Sequence, residues 1–119
     1  MNVAILGASN KPDRYSYKAL LLLKEKGHTV FPVHPLLKEI EGTPVYSRLT
    51  EITEEIHTIT IYLSPQNQQS VADDILRSKA QRVIFNPGTE NPELAQKLQQ
   101  AGIETVNACT LVLLKTDQF

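Results

Sequence analysis

The chain has 119 residues, room for one ordinary domain, and is 41% apolar and 21% charged, which excludes a disordered segment or a collagen-like rod. Twelve basic against 13 acidic residues give a formal charge of −1, which argues against a nucleic-acid binder that relies on bulk positive charge but leaves room for a local basic patch. One cysteine and three scattered histidines exclude an intrachain disulfide and a multi-cysteine metal site.

The longest apolar cluster, Ala19 to Leu23, is far short of the roughly 20 residues needed to span a bilayer. Met1-Asn2 leads straight into an apolar run with no basic leader ahead of it. The expectation is a small cytoplasmic protein, a single domain over 1–119, with neither membrane nor nucleic acid as partner.

Asn2 to Leu6 is a short apolar run closed by Gly7 and reads as a strand covered on both faces. The loop G-A-S-N-K-P-D-R follows. A first helix should begin near Asp13 or Tyr15, capped by Asp13 or Ser16, because Pro12 disfavours helical backbone at Lys11. Tyr15, Ala19, Leu22 and Leu23 keep helical spacing, and Gly27 stands at the left-handed C′ position. Thr29 to Val33 is the second strand; Pro32 removes a ladder donor, so the strand is expected to finish near Phe31.

From His34 to Ile56 the pattern loosens. H-P-L-L-K-E-I reads as one helical turn, E-G-T-P-V-Y as a turn into a short extended piece, and S-R-L-T-E-I as another turn. Thr58 to Leu63 is rich in β-branched residues and forms the third strand. Ser64 as N-cap with Pro65 behind it starts a helix to about Ser78 that buries Val71, Ile75 and Leu76. Arg82 to Phe85 is the fourth strand. Asn91, Pro92 and Glu93 open a helix carrying Leu94, Ala95 and Leu98 and stopping at Gly102. Ile103 to Val106 is the fifth strand, and Ala108 to Lys115 reads as a sixth short strand or a terminal helix, the helix favoured because Asn107 or Thr110 is available as a cap.

This alternation implies a Rossmann-like α/β fold, a three-layer, doubly wound parallel sheet of five strands in the order 3-2-1-4-5. Ligands of such sheets sit at the carboxyl ends of the strands, where the order reverses. Those ends are Gly7-Ala8-Ser9, His34-Pro35, Ser64-Pro65 and Asn86-Pro87-Gly88. Their prolines and glycines fix backbone directions so that polar groups can point at a ligand, and they also serve as ordinary strand-end punctuation.

The first loop is not the fingerprint G-x-G-x-x-G, since Ser9 and Pro12 stand where the second and third glycines belong, and no P-loop occurs. Charge says more. Between Lys11 and Lys26 there are five basic residues and two acidic ones. Lys24 and Lys26 suit the end of the helix; Lys11 and Arg14 stand at its start, where a cation works against the macrodipole and a bound phosphate would relieve it. The second strand ends V-H-P-L-L-K, without the acid that a ribose 2′-hydroxyl of NAD favours. His34 or Lys38 is instead available to a phosphate on the ribose.

The chain resembles the small, single-domain coenzyme A-binding proteins, whose fold also forms the N-terminal domain of the succinyl-CoA synthetase alpha subunit. The resemblance covers nearly the whole chain. V-A-I-L-G-A-S-N-K-P-D-R-Y-S-Y (3–17) is similar to the family's opening strand and phosphate loop, and G-H-T-V-F-P-V-H-P (27–35) to its second-strand block, which commonly ends V-N-P. E-I-E-G-T-P-V-Y-S-R-L (39–49) is similar to its linker E-I-x-G-x-P-V-Y-x-S-L, and F-N-P-G-T-E-N (85–91) to its later loop. The resemblance implies a CoA-type ligand across the strand ends and often no assigned activity. Gly7, Ala8, Ser9, Lys11 and Arg14 would hold phosphates, Val33, His34 and Pro35 would border the adenosine, and Ser64, Pro65, Pro87 and Gly88 would line the other side. His34 replaces a common asparagine, Leu36 and Leu111 replace frequent lysines with Lys38 the nearest substitute for the first, and Asn107-Ala108 replaces the acidic-basic pair before Cys109.

The expected function is noncatalytic or regulatory binding of coenzyme A or an acyl-CoA. The alternatives are a CoA-presenting module or subunit of a ligase-type enzyme, and an NADP- or NAD-binding regulatory module; a protein partner is left open. No carboxylate pair divides acid and base roles. Cys109, with no basic neighbour in sequence, is expected to be a buried structural residue. His28 is expected at the surface or a cap, and His57 facing solvent.

Overall fold

A computed structural model describes residues 1–119. The chain runs through β1 (Asn2–Leu6), α1 (Tyr15–Glu25), β2 (Thr29–Val33), β3 (Glu39–Ile40), β4 (Thr43–Pro44) and β5 (Thr58–Ile61). It continues through α2 (Pro65–Gln68), α3 (Ala72–Arg77), β6 (Arg82–Phe85), α4 (Pro92–Gln100), β7 (Glu104–Asn107) and α5 (Thr110–Lys115), with a 3-10 turn at Leu49–Glu51. No helix is long and apolar enough to cross a membrane.

The main sheet has five parallel strands ordered β2-β1-β5-β6-β7, the doubly wound α/β architecture the alternation implies. The 3-2-1-4-5 pattern is met with a change of occupant. The position outside β2 is held by Tyr46, which makes a parallel bridge with Val33, rather than by Thr58–Ile61. Tyr46, β2, β1, β5 and β6 then follow the pattern, and β7 extends it. The reason is burial: all four residues of β5 are buried, so this strand needs neighbours on both sides as well as cover on both faces. Thr58 and Thr60 are tolerated there because both are hydrogen-bonded. Thr58 Oγ1 accepts from Arg82 Nε at 3.1 Å, and the Thr60 and Thr110 hydroxyls lie 2.8 Å apart. The chain therefore reverses direction between β1 and β5.

Pro32 lies inside β2, which runs on to Val33. The neighbouring backbone contacts explain its acceptance. The Pro32 carbonyl accepts from the Tyr46 amide and the His34 amide donates to the Tyr46 carbonyl, each at 2.9 Å. Proline's missing N–H therefore points to the outer edge, where only the Tyr46 bridge exists, and no bond to β1 is lost.

Two cores flank the sheet. Val3 and Ile5 pack with Leu20 and Leu23 of α1 and Leu114 of α5. Ala4, Leu6, Ile59, Ile61, Val83 and Phe85 pack on the other face with Ile75, Leu94 and Leu98. Within α1, Ala19 and Leu23 are buried as the spacing predicts, but Ser16 and Leu20 take the other buried positions, while Leu22 is only partly buried and Tyr15 is 68% exposed. Arg14, rather than Asp13 or Ser16, is the N-cap, and its side chain makes no capping bond. Gly27 takes φ +89° as the C′ position requires.

The segment after His34 forms no helical turn. It leads into the β3–β4 hairpin, whose two turn residues Glu41 and Gly42 both have positive φ, 49° and 75°, as a two-residue hairpin turn demands. The expected helix from Pro65 to Ser78 divides into α2 and α3. Ile75 is buried, but Val71 and Leu76 are only partly so. Asn91 caps α4 by accepting from the Leu94 amide at 3.1 Å, as its motif predicts, and the terminal helix is present as α5. At the amino end of the sheet, the Met1 amine lies 3.1 Å from His28 Nδ1, and the Phe119 ring meets the same imidazole edge-on at 5.2 Å.

Candidate functional site

The carboxyl ends of β1, β2 and β5 open onto a cleft of about 420 Å³ between the β1–α1 loop and the end of β6. Gly7, Ser9, Asn10, Lys11, Arg14, Tyr15 and Ser16 form one wall, His34 and Leu37 a second, and Tyr62, Pro87 and Thr89 a third. Gly7 is required at its position. Its φ is +86°, and a Cβ there would lie 3.1 Å from the Tyr62 carbonyl carbon and from Leu63 Cδ2. The loop can thus leave β1 pressed against the end of β5. The Ser9 hydroxyl accepts from the Lys11 amide at 3.1 Å, folding the loop back over the start of α1.

The cleft gathers free donors and positive charge. The amides of Tyr15, Ser16 and Tyr17 make no backbone hydrogen bond, no side chain caps them, and the first turn carries no acid. Tyr15 and Ser16, at the positive end of the α1 dipole, line the same cleft as Lys11 and Arg14, neither of which pairs with a carboxylate. Two larger hollows, of about 500 and 620 Å³, lack this character. One carries Asp73 and Glu93 beside the already capped start of α4, and the other carries Glu54 and Glu55.

A buried polar scaffold holds the far wall. Asn86 is 3% exposed; its Nδ2 donates to Thr60 Oγ1 at 2.7 Å and to the Ile61 carbonyl at 2.8 Å, and its Oδ1 accepts from the Thr110 amide at 2.9 Å. Gln68 donates to the Leu63 and Thr89 carbonyls at 2.8 and 2.7 Å, and accepts from Asn91 Nδ2 at 2.9 Å. Its inward amide ties together the loops after β5 and β6, at the point where the expected long helix breaks.

Beside this wall an apolar chamber of about 220 Å³ is lined by Tyr15, Tyr62, Asn86, Pro87, Cys109 and Leu111. Tyr15, Tyr62 and Pro87 belong to both spaces, so a polar recess and an apolar one adjoin. The Tyr62 hydroxyl is buried without a hydrogen bond of ordinary geometry. Burial pushes its pKa up to about 12, against a smaller downward pull from the Thr60 and Thr110 hydroxyls. It is a neutral phenol, not a base.

Of the residues singled out in the sequence, Gly7, Ser9, Lys11, Arg14, His34 and Pro87 line the cleft. Ala8 and Val33 are buried in the two cores behind it. Pro35, Lys38, Ser64 and Gly88 are exposed outside the lining, and Pro65 borders the groove beside α4. Cys109 is not buried as expected; it is partly exposed because it caps α5 at the mouth of the chamber. His28 and His57 are both partly buried, the latter 2.8 Å from Thr58 Oγ1. Tyr62, Tyr15, Leu37 and Thr89 were not legible as lining residues. Tyr62 enters because β5, not β6, lies beside β1.

A family model described as a CoA binding domain matches residues 1–115. The uncharacterized protein YneT of Bacillus subtilis (strain 168) is 28% identical over 100 residues, 84% of this chain and 74% of that one. The alpha subunit of an ADP-forming acetate–CoA ligase II of Pyrococcus furiosus is 36% identical over 55 residues, which cover 45% of this chain but 12% of the subunit. Among solved structures, an uncharacterized protein superposes with a TM-score of 0.94 at 44% identity, covering 99% of this chain and 97% of that one. A hypothetical protein from Pyrococcus horikoshii OT3 gives 0.90 at 27% identity over 96% and 81%. With the matching model spanning nearly its whole length, the chain belongs to the CoA binding domain family.

Proposed function

We propose that this chain binds coenzyme A or an acyl-CoA at the carboxyl ends of its strands and catalyses no reaction with it alone. The observation that carries the reading is the pairing of two unlike spaces. The cleft offers uncapped amides, Lys11 and Arg14 to a diphosphate, and the adjoining chamber offers apolar cover to a pantetheine arm. In this reading Gly7, Ser9, Lys11 and Arg14 hold the phosphates, His34 borders the adenosine, and Pro87 divides nucleotide from pantetheine.

The noncatalytic part rests on the candidate groups. The Ser9 hydroxyl is engaged with the Lys11 amide, Ser64 is exposed outside the cleft, and His34 Nδ1 is occupied by backbone amides. None is oriented by a carboxylate, as general acid–base or nucleophilic catalysis requires. A CoA-presenting role beside a separate catalytic subunit uses the same site and differs only in what meets it.

Three measurements test the reading. Mass spectrometry of denatured, freshly purified protein should release CoA or an acyl-CoA that was never added. Calorimetry on ligand-free protein should then show tighter binding of CoA than of NAD; the reverse order refutes the assignment. Incubation with acetyl-CoA and succinyl-CoA should release no thiol above background. Release that disappears in His34→Ala would overturn the noncatalytic part.

A further inference from the structure

The apolar chamber differs from the cleft beside it in charge as well as in polarity. None of its six lining residues, Tyr15, Tyr62, Asn86, Pro87, Cys109 and Leu111, is a lysine, arginine, histidine, aspartate or glutamate. Lys11 and Arg14 line the cleft and not the chamber, and Lys18 lies 5.5 Å from the Tyr15 ring centroid without joining the lining.

The polar side chains of the wall are engaged or turned away. Asn86 donates to Thr60 Oγ1 and the Ile61 carbonyl and accepts from the Thr110 amide, which leaves its side chain no proton for a ligand. The Tyr62 oxygen is buried beside the Thr60 and Thr110 hydroxyls, so a group entering the chamber meets its ring and not its phenol. Cys109 adds only a thiol, a weak donor. Size sets a second limit. A space of about 220 Å³ equals about seven shares of liquid water at about 30 Å³ each. That is room for the sulfur end of a pantetheine arm and a few carbons more, not for a fatty-acyl chain.

We propose that this chamber selects the acyl end of the ligand, taking thioesters of short, uncharged acids of up to about four carbons in preference to free CoA and to thioesters of dicarboxylic acids. The inference rests on the CoA reading above, in which the arm passes Pro87 from cleft to chamber. Each acyl carbon leaves water for an apolar wall, so affinity rises with every methylene until the space is full. A carboxylate in the same place would lose its hydration with no cation to meet it.

The decisive pair is butyryl-CoA and succinyl-CoA, whose acyl groups share four carbons and differ in ending on a methyl or a carboxylate. Calorimetry on the unaltered, ligand-free protein should show affinity rising about fourfold per methylene from acetyl- to butyryl-CoA, with CoA weaker than acetyl-CoA. Succinyl-CoA should bind at least about tenfold more weakly than butyryl-CoA. Leu111→Lys, which puts a cation on the wall, should narrow that ratio. Leu111 is only 8% exposed, so a lysine there strains the fold; Leu111→Phe gives an independent reading by shrinking the space, and should remove the gain from acetyl to butyryl. In the unaltered protein, CoA or succinyl-CoA binding as tightly as butyryl-CoA would overturn the inference, as would unchanged ratios in the variants. Failure of CoA and every thioester to bind would refute the CoA reading itself, a result distinct from these.

Discussion

Replacing Asn86 by alanine removes the clamp between β5, β6 and the start of α5 without touching a cleft cation. The Thr110 amide loses its acceptor and the Ile61 carbonyl loses a donor, while the Thr60 hydroxyl keeps its Thr110 partner. Orphaning a buried polar group costs about 1–3 kcal/mol. Because Asn86 borders the chamber, water can reach the vacated space and moderate the loss, so the total should be about 2–4 kcal/mol. For a domain of this size each kcal/mol shifts the melting temperature by about 4 °C, giving a fall of about 8–16 °C. Urea unfolding followed by circular dichroism measures the free energy directly. Asn86→Asp sharpens the test. The aspartate keeps an acceptor for Thr110 but turns a second oxygen toward the Ile61 carbonyl, so it folds best protonated. Its pKa is then higher folded than unfolded, and its stability deficit should grow as pH rises from about 4 toward 7. A loss below about 0.5 kcal/mol in the alanine variant would refute the argument that this network positions the far wall.

Gly7→Ala should destabilise by about 1–3 kcal/mol, because a left-handed alanine would also meet Tyr62 and Leu63 at 3.1 Å; urea titration showing no change would mean the loop moves away freely. Lys11→Ala and Arg14→Ala should each weaken CoA binding roughly 10- to 100-fold by calorimetry while leaving the melting temperature unchanged, and full affinity in both would place the phosphates elsewhere. His28 has its pKa lowered by burial and by the neighbouring amino terminus. The unfolded chain then binds more protons, so stability should fall as pH drops below about 6.5; a His28→Gln variant with the same slope would contradict this.

The sequence disclosed best what is decided locally. Asn91-Pro92 capped and started a helix as written, Gly27 ended one, and Arg82–Phe85 formed its strand without a residue's error. Each depends on neighbours within a few positions. The misplaced elements answer to distant partners. Thr58–Ile61 looks half polar, yet it is central because Arg82, Asn86 and Thr110 satisfy its threonines. Gln68 reads as helix surface, and only Leu63, Thr89 and Asn91 draw it inward. The site followed the same division. Lys11 and Arg14 were legible from charge near a helix start, whereas Tyr62 required knowing which strand lies beside β1.

The meeting of Met1 and Phe119 on His28 has a mechanical consequence. Both ends of the chain emerge where β1 begins, and the cleft opens where β1 finishes, so a tether at either end grips the molecule by its heel and leaves the binding face forward. A short flexible bridge could also join the two ends into a ring, with the chain reopened at the exposed Thr53–Glu55 loop. Such a permuted chain would keep every strand-end loop in its present setting.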